Sequence, residues 1–102
     1  MFIASVKGNV VTTHKVAKMA ARKLLIVEPL RVAEGKKGFT PTGRTFVAVD
    51  NIDAGVGDVV LVTQGSSARM TEGTSDAPVD CVVTGIVDSV TVGGETTYRK
   101  GE

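Results

Sequence analysis

The sequence predicts an all-β protein, a small antiparallel barrel of five or six strands. Three observations carry that prediction. Val far outnumbers Leu and Thr is frequent, and β-branched side chains, already restricted at χ1, suit the pleated sheet. Twelve Gly residues are spread along the 102 positions at places where strands can end. Apolar residues alternate in the first segment and form short continuous runs later, bounded by turn residues.

The elements follow in order. Phe2, Ala4, Val6 and Val10 alternate with Ser5, Lys7 and Asn9, the period of a half-buried strand. Between residues 14 and 25, Val16, Met19, Ala20 and Leu24 fit helical spacing as well as an irregular connection, so one or two short helices belong to the expected fold. Leu24-Leu25-Ile26-Val27 is an apolar run reaching Val32 through Pro29, which implies an edge or a bulge because proline cannot donate to the ladder. Residues 34–43 read as an exposed loop. Strands are then expected over 45–49 and 59–62, joined by the turn-rich stretch from Asp50 to Gly57. After a polar segment from Gly65 to Pro78, Cys81 to Val92 reads as one long strand, Gly93-Gly94 as a hairpin turn, and Thr96-Thr97-Tyr98 as the return.

Length and charge exclude much. The chain suffices for one core, a single domain over 1–102 whose last residues, 93–102, form a strand or tail. Twelve Lys and Arg against eleven Asp and Glu give a net charge of +1, which argues against gripping phosphate backbones by electrostatics alone. An oligonucleotide-binding barrel would need stacking aromatics in a basic groove, and the only aromatics are Phe2, Phe39, Phe46 and Tyr98. That reading is the alternative. No apolar run spans a membrane, and the opening residues lack a signal peptide's pattern, so a cytoplasmic protein is expected. The lone Cys81 permits no internal disulfide.

The inventory for catalysis is thin. His14 is the only histidine and reads as a surface residue beside Lys15; Cys81 reads as a small buried hydrophobe. One His and one Cys cannot build a structural zinc site, and no cofactor motif is complete. Gly65-Ser66-Ser67-Ala68-Arg69 has Arg where a nucleophile elbow needs its second Gly. Asp50, Asp53, Asp76, Asp80 and Asp88 read as turn formers rather than paired acids. No catalytic, metal or cofactor site is expected.

The strand faces point elsewhere. A solitary barrel should be apolar inside and polar outside, yet Phe46–Val49, Val59–Val62 and Cys81–Val87 are apolar on both faces. Contiguous apolar surface is usually an interaction surface. Val47, Val49, Val60, Val62, Val83 and Val87 are therefore expected on an outer face, covered by further copies of the chain or by a partner.

The order of motifs resembles a known family. Gly8-Asn9-Val10-Val11-Thr12-Thr13-His14-Lys15, Lys23-Leu24-Leu25-Ile26-Val27, Val47-Ala48-Val49-Asp50, Asp53 to Val62, Gly65 to Arg69, Pro78-Val79-Asp80 and Gly85-Ile86-Val87-Asp88 together resemble the EutN/CcmL family of bacterial microcompartment vertex proteins. One departure is Ala21-Arg22, where the family often has Gly. The resemblance implies an OB-like barrel and a non-enzymatic subunit of a cyclic pentamer. That pentamer would cap the vertices of a polyhedral shell and partner hexameric and trimeric facet proteins. It also implies that Gly65, Ser66, Ser67, Ala68 and Arg69 lie near the fivefold axis or a subunit interface, where small residues permit close backbone approach. Arg69 would then pair directionally with a neighbour.

Overall fold

A computed structural model describes residues 1–11, 23–32, 38–65 and 80–101. The described residues form eight strands: β1 (Phe2–Val10), β2 (Lys23–Arg31), β3 (Thr40–Pro41), β4 (Phe46–Asp50), β5 (Val59–Gln64), β6 (Cys81–Ile86), β7 (Ser89–Val92) and β8 (Glu95–Arg99). The helix expected within 14–25 falls mostly outside the described residues, and its last positions belong to β2.

Five strands close on themselves in the order β1-β2-β4-β6-β5, because β1 pairs with both β2 and β5. Closure removes the exposed edges that an open sheet of this size would present. All neighbours are antiparallel except β4 and β6, which run parallel through Val49↔Val82 and Asp50↔Val83. This corrects the wholly antiparallel expectation. β6 inserts between β4 and β5 rather than beside β5 alone, and pairing antiparallel with β5 makes it run with β4. Strand alternation is the same for either direction, so the residues carry no sign of it.

Pro29 sits near the end of β2, opposite Ala4, beyond the last β4 partner at Val27. Its missing N–H therefore costs no β4 bond, and its carbonyl accepts from Thr42 Oγ1 at 2.7 Å. The predicted long strand from Cys81 to Val92 is broken. The Val87 N–H donates to the Val59 carbonyl at 2.8 Å as the ladder ends, and the chain then enters the separate β7–β8 hairpin. Gly93 and Gly94 both take positive φ, 60° and 82°, as a two-residue primed turn requires. The hairpin is tied back by the Gly38 N–H, which donates to the Thr97 carbonyl at 2.8 Å, and by a Phe39–Tyr98 ring contact at 5.3 Å.

The interior is built from small side chains. Ala4, Val6, Leu25, Val27, Ala48, Val60, Val62, Cys81 and Val83 form one buried cluster, with Phe2, Phe46 and Ile86 packed against it. Phe2 and Phe46 meet at 5.7 Å, as their inward strand positions require, and Arg44 lies 5.6 Å over the Phe46 ring. At the other end, the Asp50–Asp58 connection is organised by carboxylates. Asp50 accepts from the N–H groups of Ile52 and Ala54 at 2.9 and 2.7 Å, and Asp58 accepts from Gly55 at 2.9 Å. Asp50 serves as the turn former its position predicts, and Asp58, which the sequence did not single out, does the same.

Candidate assembly surface

The Cα partners fix which residues point outward. Ala4 and Val60 are partners in the core, so their neighbours Ile3 and Leu61, also partners, face out. On the other flank Leu25 and Ala48 face in, which turns Ile26 and Val47, and Leu24 and Val49, outward. The outer face of this barrel is thus apolar across two separate flanks.

The strand-by-strand outcome is mixed. Val47 is outward and 54% exposed, as expected. Val49 is outward but only 3% exposed, and Val87 is half-buried beyond the end of β6. The outward placement of Val60, Val62 and Val83 is corrected: all three are core residues at 1% exposure or less. In a run such as Val59–Val62 every residue is apolar, so alternation offers no way to choose the inward set. The outward positions belong instead to Leu61, Val59 and Val82. Val59 and Val82 are nonetheless buried at 6% and 0%, so part of the outer face is already covered within the chain.

Gly65 ends β5, exposed, with φ of 70°, and its N–H donates to the Asp80 carbonyl at 2.8 Å. This left-handed backbone favours glycine. Ser66, Ser67, Ala68 and Arg69 lie outside the described residues, as does His14.

Among the described residues, reactive groups do not gather elsewhere. Cys81 is buried, and burial, reinforced by the charge of Asp80, pushes its thiol pKa up. A raised pKa disfavours the thiolate, the form that attacks or binds metal. Among the described residues no three His, Cys, Asp or Glu side chains are grouped to hold a metal ion. The four aromatics are paired with one another, Phe2 with Phe46 and Phe39 with Tyr98, rather than ranged along one groove. No described helix is long and apolar enough to cross a membrane.

A closed small barrel with apolar outer flanks defines a protein whose surface is built for contact. The chain belongs to the EutN/CcmL family: the model described as "Ethanolamine utilisation protein EutN/carboxysome" matches residues 1–88. It is 42% identical to the bacterial microcompartment shell vertex protein EutN of Escherichia coli K12, over 98% of this chain and all of that relative. The solved structure of Gloeobacter violaceus CcmL superposes with a TM-score of 0.90 at 35% identity, each chain fully covered. The GrpN pentameric microcompartment shell protein from Rhodospirillum rubrum matches at 40% identity and a TM-score of 0.76, over 90% of this chain and 99% of that one.

Proposed function

We propose that this chain is a structural subunit of a bacterial microcompartment shell, assembling into a ring of five that caps a vertex. The observation that carries it is likeness over the whole chain, in sequence and in fold, to shell vertex proteins, one of them a pentamer. A sheet of sixfold tiles is flat, and a fivefold unit at each corner supplies the curvature that lets it close. The work is geometric. It needs one contact set around the ring and another between the ring and the hexameric and trimeric facet proteins. The subunit carries out no catalysis and resides in the shell within the cytoplasm.

Gly65, Ser66, Ser67, Ala68 and Arg69 are assigned to the region near the fivefold axis. The left-handed turn at Gly65 and the small side chains after it suit a place where five backbones converge. Arg69, with its planar fork of donors, would fix a neighbour's carboxylate or carbonyl.

Native mass spectrometry of the purified chain tests the ring. A species of five subunit masses is expected, and a monomer at micromolar concentration would overturn the reading. Co-expression with facet proteins tests the vertex role: closed shells should form with the chain present and open or tubular sheets without it.

A further inference from the structure

We propose that closing the ring is the work of the barrel, residues 1–88, and that the β7–β8 hairpin is an accessory brace, dispensable for closure, that fixes the 38–43 segment against the barrel. The first half rests on the ring reading above; the second half stands without it.

The boundary falls between two sheets. The five barrel strands are complete at Ile86, β7 starts at Ser89, and the hairpin shares no ladder with the barrel. The family match stops at the same place, residue 88. The GrpN pentamer matches over 99% of its own length yet reaches only 90% of this chain. A pentamer therefore forms without a counterpart to every residue here. Among the described residues, none beyond Ile86 enters or packs against the buried barrel cluster.

A two-stranded hairpin is marginal in water by itself, and this one is tied down along its length. At its base the Lys100 N–H donates to the Asp88 carbonyl at 2.7 Å, and the Lys100 ammonium lies 3.9 Å from Asp58. Further along, the ladder slips between Val90 and Thr91, which makes Thr97 the extra residue of a bulge. A bulge re-aims the backbone, and the Thr97 carbonyl accepts from the Gly38 N–H at 2.8 Å. Next to it, the Tyr98 ring stands 5.3 Å from that of Phe39.

The barrel grips the same segment from its other side. The N–H and the hydroxyl of Thr42 both donate to the Pro29 carbonyl, and the Gly43 N–H donates to Glu28. Thr40 and Pro41 pair with Arg31 and Leu30 in the two-residue strand β3. Gly38, Thr40, Pro41 and Gly43 are nonetheless exposed. So short a strand, with water on its outer side, gains little from one neighbour, and the hairpin supplies the second wall.

The double variant Tyr98→Ala/Lys100→Ala, made in the full-length chain, cuts both side-chain ties and spares the core. Native mass spectrometry and hydrogen–deuterium exchange then address the two halves separately. The five-subunit species is expected to persist, with exchange of the 38–43 peptide at least tenfold faster and exchange in β1, β4 and β6 unchanged. Loss of that species, where the unsubstituted chain retains it, would overturn dispensability. Unchanged exchange at 38–43 would overturn the brace, and faster exchange throughout the barrel would overturn the division into two parts. An unsubstituted chain that is monomeric would remove the ring reading, and the exchange comparison would still decide the brace. Phe39→Ala attacks the same contact from the loop side. It should speed exchange of the 95–99 peptide at least tenfold, and no change there would equally overturn the brace.

Discussion

Lys23 and Asp50 face each other across the β2–β4 ladder, the ammonium 3.6 Å from a carboxylate whose side chain is fully buried. Asp50 is where the last strand residue becomes the first turn residue. Its two oxygens take the N–H groups of Ile52 and Ala54, and the donor of the buried Ala54 would otherwise be left unpaired. Lys23 adds a third contact and also donates to the Ala54 carbonyl at 2.7 Å. Asp50→Ala should therefore cost about 2–4 kcal/mol, since hydrogen bonds to a charged acceptor are lost and the buried Ala54 donor is stranded. Asp50→Asn should cost roughly half as much, because one acceptor oxygen of similar shape survives. Urea unfolding at fixed protein concentration measures both, and a loss under about 1 kcal/mol for the alanine variant would contradict this account.

Lys23 gives the molecule an alkaline limit. Its pKa is raised chiefly by the hydrogen bond to Asp53 at 3.0 Å, with the Asp53 and Asp50 charges adding to it and partial burial opposing. A base whose folded pKa exceeds its unfolded value stabilises fully below the unfolded value, near 10.4, and loses that contribution as pH rises through the folded one. The contribution should thus be flat from neutrality to about pH 10 and fall above it. Thermal melts of the native chain and Lys23→Gln across that window should converge at the alkaline end; curves that stay parallel would show that Lys23 adds nothing pH-dependent.

Cys81 should be silent toward thiol reagents in the folded protein. The side chain is buried in the barrel cluster, and burial followed by the Asp80 charge raises its pKa, so at neutral pH both access and thiolate are scarce. Labelling with a disulfide reagent such as Ellman's should be slow in buffer and complete in denaturant. Rapid stoichiometric labelling without unfolding would show that the β6 end opens to solvent.

Legibility in the sequence tracked how much contrast each segment carried. β1 alternates polar and apolar residues, so Phe2, Ala4 and Val6 could be read directly as inward, whereas Val10, read in the same set, pairs with the outward Leu24 because the register shifts between Val6 and Gly8. The glycine pair of the β7–β8 turn and the capping role of Asp50 were equally plain, because only a few residue types suit those backbones. β5 and β6 offered no such contrast. With Val59 through Val62 all apolar, a choice of face is a choice of one-residue register, and Val60, Val62 and Val83 proved to be inside. The parallel contact of β4 with β6 was hidden for another reason: it depends on where the chain goes between Gly65 and Asp80, which no periodicity encodes. For the outer face, apolar character was legible, and of the valines placed on the strands only Val47 and Val49 point outward.

Ser5 offers a change that should strengthen the fold. It stands on β1 between Glu28 on one side and Val59 on the other, and among the described residues its Oγ is buried without a hydrogen-bond partner. A hydroxyl taken from water and left unpaired costs about 1–3 kcal/mol, and removing it recovers part of that cost. The site is small and sheet-bound, so alanine fits without a clash, although it gives up a little strand propensity. Ser5→Ala should raise stability by about 1 kcal/mol, a shift of roughly 4–8 °C in the melting temperature of a domain this size. The urea midpoint should move up with the slope unchanged, since the area exposed on unfolding hardly differs. A drop in the midpoint would mean that the hydroxyl has a partner in the assembled ring, and comparing the melt above and below the assembly concentration would separate that case from a loss within the barrel itself.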